Sequence, residues 1–128
     1  MILIDTSVWI EFFRQNSWYT VRIASLLEAR EIITIEPVFA ELLYGVRQRQ
    51  DKEMVLSYWQ LLPKITFGMN SMLGASEYAK NKNFHSLGIG LFDAIIIKSA
   101  MDGNHTIWTP DMKINSNIAG KHIYQFDQ

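Results

Sequence analysis

Four carboxylates stand where the chain passes between apolar elements and could act together. Asp5 follows Ile2-Leu3-Ile4 and precedes Thr6-Ser7; Glu41 lies in Phe39-Ala40-Glu41-Leu42-Leu43-Tyr44-Gly45; Asp93 lies in Leu91-Phe92-Asp93-Ala94-Ile95-Ile96; Asp111 closes Thr109-Pro110-Asp111. Asp93 is the hardest to explain as scaffolding. On a helical wheel of about 100° per residue starting at Leu91, it falls near about 200°, beside Ile96, Ile97 and Ala100, while Lys98 and Asp102 lie on the opposite side. A carboxylate held against an apolar face is costly unless paired, protonated or bound to a cation. The plainer reading is an acid in the first helical turn, favoured by the helix dipole, and the face it occupies outweighs that reading. The other three have plain readings of their own: an N-cap for Asp5, a turn or cap residue for Asp111, a solvated acid for Glu41. Gly45 argues against the last, because glycine inside a helix costs about 0.8–1 kcal/mol and often marks close approach by another element. Gathered at one edge, four carboxylates cannot all stay ionised without a counter-ion. Mg²⁺ and Mn²⁺ meet that need with oxygen ligands and water, and the implied reaction is phosphodiester hydrolysis.

The elements that must position these acids follow from the apolar pattern. Ile2-Leu3-Ile4 reads as a strand buried on both faces, followed by a helix to about Arg14. A second amphipathic helix covers Tyr19 to Arg30, with Val21, Ala24 and Leu27, and Ile23 and Leu26, at helical spacing. Ile32 to Ile35 is β-branched and leads into Pro37, which suits the first turn of a helix running towards Gln50. Another helix covers Asp51 to Leu62, and Ile65-Thr66-Phe67 reads as a short strand. Asn70 to about Leu87 is predominantly helical, and Leu91 to Asp102 is a strongly apolar helix stopped at Gly103-Asn104. Thr106 to Thr109 and His122 to Phe126 read as strands, with a loop or short helix over Pro110 to Ala119. This alternation predicts an α/β fold with a mostly parallel central sheet of four to five strands. Ligand sites in such sheets lie beyond the carboxyl ends of strands, which directs attention to Asp5, Glu36 and the Thr109 to Asp111 segment.

At 128 residues with 48% apolar composition, the chain suits one domain, residues 1–128, with a core of its own. Cysteine is absent, which excludes disulfides, thiolate metal sites and thiol nucleophiles and permits a reducing compartment. The N-terminal segment lacks the basic region of a signal peptide, and no apolar run approaches the roughly 18–20 residues that span a bilayer. A cytoplasmic protein without membrane attachment is expected. Twelve basic residues against thirteen acidic ones give a net charge of −1; with the four candidate acids set aside, the remainder is +3. A weakly basic surface around an acidic pocket fits that distribution.

The four motifs together resemble the PIN domain family, and more narrowly the VapC-type ribonuclease toxins of prokaryotic toxin–antitoxin modules. The resemblance covers nearly the whole chain, with the motifs in matching order and spacing. It implies a three-layer α/β/α architecture and a Mg²⁺- or Mn²⁺-dependent endoribonuclease, in which metal-activated water attacks an RNA phosphodiester and leaves a 5′-phosphate and a 3′-hydroxyl. Asp5, Glu41, Asp93 and Asp111 match the family's acidic quartet of metal-binding, catalytic residues. Thr6 accompanies the first acid, and Ser7 and Thr109 match supporting hydroxyl positions. The implied partners are an RNA substrate, a cognate antitoxin packing near the first helices, and a second copy of the chain in a homodimer or a larger toxin–antitoxin assembly. Two positions depart from the pattern: Ile114 stands where an aromatic often follows the last motif, and Lys113 occupies a position that is acidic in some relatives.

The alternative function is a non-catalytic PIN-fold module that binds RNA or protein. A haloacid-dehalogenase-type phosphohydrolase would need a second acid where Ser7 stands, and a response-regulator receiver domain would pair Asp5 with an adjacent acid. His85, His105 and His122 show no metal-ligand spacing. Gly88-Ile89-Gly90 lacks the lysine and hydroxyl of a phosphate loop and reads as a connector. Arg14, Arg47, Arg49 and Lys52 read singly as solvated helix charges, as do Lys80 and Lys82. Trp9, Phe12, Phe13, Trp18 and Tyr19 divide between core and contact surface in a way the sequence does not resolve.

Overall fold

Three short apolar runs make the sheet, and their order in space puts the first at the centre. In the computed structural model, which describes residues 1–125, β1 (Ile2–Ile4) lies between β2 (Ile32–Ile33) and β3 (Thr106–Trp108), all parallel. Ile2 pairs with both Ile32 and Thr106, and Ile4 reaches Trp108. Every residue of β1 is buried, as a strand covered on both faces requires. The helices are α1 (Thr6–Phe13), α2 (Ser17–Glu28), α3 (Glu36–Gly45), α4 (Arg49–Leu61), α5 (Ser71–Asn81), α6 (Leu91–Asp102) and α7 (Met112–Asn117). The α1 helix packs on α2 and α3, and α3 on α4; α5 packs on α6, which also meets β3. These helical groups and the sheet give the α/β/α layering.

The sheet is smaller than the four to five strands the sequence predicts: among the described residues it has three. Ile65-Thr66-Phe67 is not a strand. A single parallel bridge joins Thr34 to Lys64, with Thr34 N–H donating to Pro63 O and Ile65 N–H to Thr34 O, and the pairing goes no further. The predicted strand over His122 to Phe126 becomes a 3-10 turn at Gly120–His122 and one bridge from Ile123 to Ile107; Phe126 lies outside the described residues. Elsewhere the helix predicted from Asn70 to Leu87 is α5 followed by a separate 3-10 turn, Phe84–Leu87, because Asn83 adopts a left-handed backbone between them. The helix after Pro37 ends at Gly45 rather than near Gln50, where the backbone turns extended at Val46. In α2, Ile23 and Leu26 are buried, whereas Val21 and Ala24 face outward.

Ile95, Ile96, Ile97 and Ala100 of α6 are fully buried with the β-strand isoleucines and Trp9 in one continuous core. Trp9 meets Phe12, Phe13, Phe39 and Tyr58 at ring distances of 5.5–6.1 Å, which ties α1 to α3 and α4. Trp9 is therefore core, while Phe12 and Phe13 are half-buried and Trp18 is exposed by 43%. No helix among the described residues is long and apolar enough to cross a membrane.

Candidate active site

Asp5 is delivered by the carboxyl end of the central strand, and the turn into α1 fixes its side chain. Its backbone N–H donates to Trp108 O of the neighbouring strand. Its Oδ1 accepts the Thr6 N–H at 2.7 Å as the helix cap, and its Oδ2 accepts the Thr109 hydroxyl at 2.7 Å. The structural and site readings of Asp5 are thus compatible: one oxygen caps the helix while the other is held from beyond β3. Thr109, 6% exposed, also receives the Asp111 N–H on its hydroxyl oxygen at 3.1 Å.

Asp111 caps α7, its Oδ1 accepting the Lys113 N–H at 2.8 Å. Asn115, one turn further along, donates from its side-chain amide to Thr109 O at 3.0 Å and locks the loop against the helix. Sequence reasoning missed Asn115; the only signal was a polar residue four positions past Asp111, beside the buried Ile114. Glu41 projects from the middle of α3, and its Oε1 accepts the Thr6 hydroxyl at 3.0 Å. Thr6 is buried and so joins Asp5 and Glu41 through its two donors. Ser7 is exposed, and its hydroxyl bonds to no described residue. Asp93 sits half-buried in the first turn of α6, three residues after Gly90.

Glu36, which the sheet-edge rule also singled out, opens α3 as an exposed first-turn acid, and no described contact draws it to the others. Gly45 is not packed against another element: a Cβ there would meet nothing within 4 Å. It instead borders an open cleft of about 400 Å³ between α1, α3 and α4, whose walls include Ile10, Phe13, Leu42 and Val55, with Arg14, Arg47 and Glu41 at its edge. His105 lies by the N-terminal amine, 3.2 Å away, and His122 by the His105 carbonyl, both outside the site.

The electrostatics join the four acids into one group. Burial pushes Asp5 up from the ordinary carboxylate range, opposed by the Thr109 and Thr6 hydrogen bonds and reinforced by Asp111. Desolvation also raises Glu41, with the Thr6 bond opposing and Asp5 and Asp93 reinforcing. Desolvation raises Asp93 too, followed by repulsion from Asp5 and Asp111, with Gly90 and Lys113 acting the other way. None of the ion pairs among the described residues, Arg14–Glu11, Arg49–Glu53 and Lys98–Asp102, involves these four acids.

No three acids or histidines among the described residues stand close enough to enclose a metal ion as they are placed. The donor set nevertheless fits a hydrated divalent cation. It offers hard carboxylate oxygens in a partly desolvated, negatively charged group, and Mg²⁺ characteristically keeps several waters while binding one or two carboxylates.

The family model described as PIN domain matches residues 2–116. Among solved structures, the chain is similar to one in the crystal structure of VapBC2 from Rickettsia felis bound to a DNA fragment from their promoter. The TM-score is 0.74 at 22% identity, covering 99% of this chain and 100% of that one. It is also similar to a chain of FitAcB from Neisseria gonorrhoeae, with TM-score 0.59 and 22% identity over 88% of this chain and 89% of that one. Comparison with curated proteins finds no match. The parallel sheet, the acids at its carboxyl edge and a family match over nearly the whole length agree, and the chain belongs to the PIN domain family.

Proposed function

We propose that this protein is a Mg²⁺- or Mn²⁺-dependent endoribonuclease of the VapC toxin type, neutralised by a cognate antitoxin. The observation that carries the reading is the set of mutually repelling carboxylates, Asp5, Glu41, Asp93 and Asp111, none of them in an ion pair with a described cation. Asp5 and Asp93 are the principal metal ligands in this reading, with Glu41 and Asp111 binding directly or through water. When bound, the ion neutralises the carboxylates and polarises the attacking water and the phosphoryl group.

The chain's own residues supply orientation and proton handling. Thr6 and Thr109 hold the two oxygens of Asp5, leaving its second lone pairs available, and Ser7 lines the same turn. Glu41 keeps Oε2 clear of its Thr6 bond, free to take the proton of the attacking water. The water oxygen bonds to phosphorus and the bond to the 3′ oxygen breaks. That oxygen takes a proton from solvent, giving a 3′-hydroxyl and a 5′-phosphate.

The partners follow from the same reading. The cleft beside Glu41 has apolar walls suited to an antitoxin segment, and a homodimer, alone or within a larger toxin–antitoxin assembly, is the expected state in the cytoplasm. The names VapBC2 and FitAcB of the structural neighbours support the toxin–antitoxin part of this reading.

The test is cleavage of a total small-RNA pool by antitoxin-free protein with Mg²⁺, with Mn²⁺ and with EDTA, beside Asp5→Asn and Asp93→Asn variants checked for folding by circular dichroism. Discrete, metal-dependent products that vanish in both folded variants are expected. A folded Asp93→Asn protein with the full rate overturns the assignment, and RNA binding without metal-dependent cleavage favours the non-catalytic module.

A further inference from the structure

Behind the loop that carries Thr109 and Asp111 stands a half-buried amide, Asn115. It belongs to α7, where its backbone N–H donates to Asp111 O at 3.0 Å, and its neighbour Ile114, 1% exposed, anchors that short helix in the core. The amide works at one end only. Nδ2 donates to Thr109 O at 3.0 Å, while Oδ1 is buried and meets no donor among the described residues. A buried acceptor without a donor costs stability, and a leucine of similar volume would avoid that cost, so packing alone does not account for an asparagine here.

What the amide holds is the peptide between Thr109 and Pro110. Proline has a fixed φ and no N–H, so it offers this turn no backbone donor and confines Thr109 to extended conformations. Within that region the Asn115 bond sets the direction of the Thr109 carbonyl and with it the freedom left to the Thr109 backbone. The Thr109 side chain is β-branched and stiff about its first torsion, so its hydroxyl follows the backbone. That hydroxyl donates to Asp5 Oδ2 at 2.7 Å and accepts the Asp111 N–H at 3.1 Å. A continuous series of hydrogen bonds thus runs from α7 through Thr109 to the carboxylate at the end of β1.

We propose that Asn115 is a positioning residue of the candidate active site: through Thr109 O it fixes the angle at which the Thr109 hydroxyl holds Asp5, and so presents the free lone pairs of that carboxylate to a divalent cation. The proposal rests on the metal-dependent nuclease reading. The Asn115 side chain bonds to none of the four acids among the described residues and acts wholly through Thr109, as the partners that orient metal-binding carboxylates do.

The experiment is a double-mutant cycle on the full chain with Asn115→Leu, Thr109→Val and the two combined. It reads Mn²⁺ affinity by calorimetry, initial cleavage of the RNA pool at saturating Mn²⁺, and the urea midpoint by circular dichroism. Asn115→Leu deletes the donor and the unpaired acceptor together, so loss and gain nearly offset and the midpoint is expected to stay near that of the wild type. Mn²⁺ affinity and cleavage are each expected to fall about tenfold. In the double variant both match Thr109→Val alone, because the hydroxyl that Asn115 orients has gone. A role limited to packing gives the opposite pattern, a lowered midpoint and losses that multiply. Asn115→Ala removes the same donor without adding bulk and runs the same cycle if the leucine variant does not fold. Wild-type Mn²⁺ affinity and rate in folded Asn115→Leu, or losses that multiply in the double variant, overturn the proposal and leave the nuclease standing. A wild type that neither binds Mn²⁺ nor cleaves removes both. The affinity measurements need no RNA and decide the matter even where the pool lacks the target.

Discussion

Replacing Thr109 by valine keeps the shape of a buried side chain and deletes one hydroxyl that serves two carboxylate-bearing positions. The hydroxyl donates to Asp5 Oδ2 at 2.7 Å and accepts the Asp111 N–H at 3.1 Å. A hydrogen bond to a charged group contributes about 1.5–3 kcal/mol and a neutral one about 0.5–1.5 kcal/mol, so the variant is expected to lose about 2–4 kcal/mol of stability at neutral pH. With a urea slope of about 2 kcal/mol per molar, that lowers the unfolding midpoint by about 1–2 M. The same hydroxyl opposes the burial that raises Asp5. Without it Asp5 rises further, and the acidic limb of the cleavage profile moves to higher pH. Loss of about 1.4–2.8 kcal/mol at the reacting centre lowers the rate at neutral pH about tenfold to hundredfold. Thr109→Ser retains the hydroxyl and separates its effect from that of the methyl group; it should cleave near the wild-type rate. Urea unfolding followed by circular dichroism and cleavage as a function of pH are the assays. A valine variant with the wild-type midpoint and an unmoved acidic limb would refute the assignment of Thr109 as the group that holds Asp5.

Asp5, Glu41 and Asp93 all have pKa values above the ordinary 3.8, 4.5 and 3.8, so over that window the folded state holds more protons than the unfolded one. The contribution of these groups to the stability of the metal-free protein therefore falls as pH rises through the window and stays lower above it; urea midpoints between about pH 4 and about pH 7 should show the fall, reduced in Asp93→Asn and offset by added Mg²⁺. Gly45→Ala meets open space and should gain about 0.4–1 kcal/mol, read as a raised Tm, because the unfolded chain loses freedom and the folded one gains no clash. Thr34→Val removes a fully buried hydroxyl that has no hydrogen-bond partner; a gain of about 1 kcal/mol in urea unfolding is expected.

Asp5, Asp93 and Asp111 stood out because each sits at or next to the end of an element whose apolar pattern is strong, whereas Glu41 lies in the middle of α3. The helix carrying Asp93 was read with the bounds it has, Leu91–Asp102, since buried isoleucines and a Gly103-Asn104 stop leave no other period or end. The edges of the sheet were not legible. Ile65 and Phe67 are half-buried around an exposed Thr66, an alternation identical to that of a strand, but their backbone pairing stops after the bridge at Lys64. Alternation reports which side chains are covered, and says nothing of whether a neighbouring backbone is there to pair. Gly45 misled for a related reason: the absence of a side chain records equally a close neighbour and an open cleft. The links from Thr6 to Glu41 and from Thr109 to Asp5 span 35 and 104 residues, and no local pattern encodes contacts at such range.

That last separation bears on the order in which the molecule acquires structure during synthesis. The central strand is made first, yet one of its two neighbours, Thr106–Trp108, is among the last strands to be made. Until that segment emerges, Ile2–Ile4 has an open hydrogen-bonding edge and Asp5 lacks both the Thr109 hydroxyl and the Asp111 that shares it. Pairing over such a distance is slow, because the entropy of closing the loop is lost before the contact forms. A nascent chain thus carries Asp5 with its cluster unassembled until the segment bearing Thr109 and Asp111 has been made.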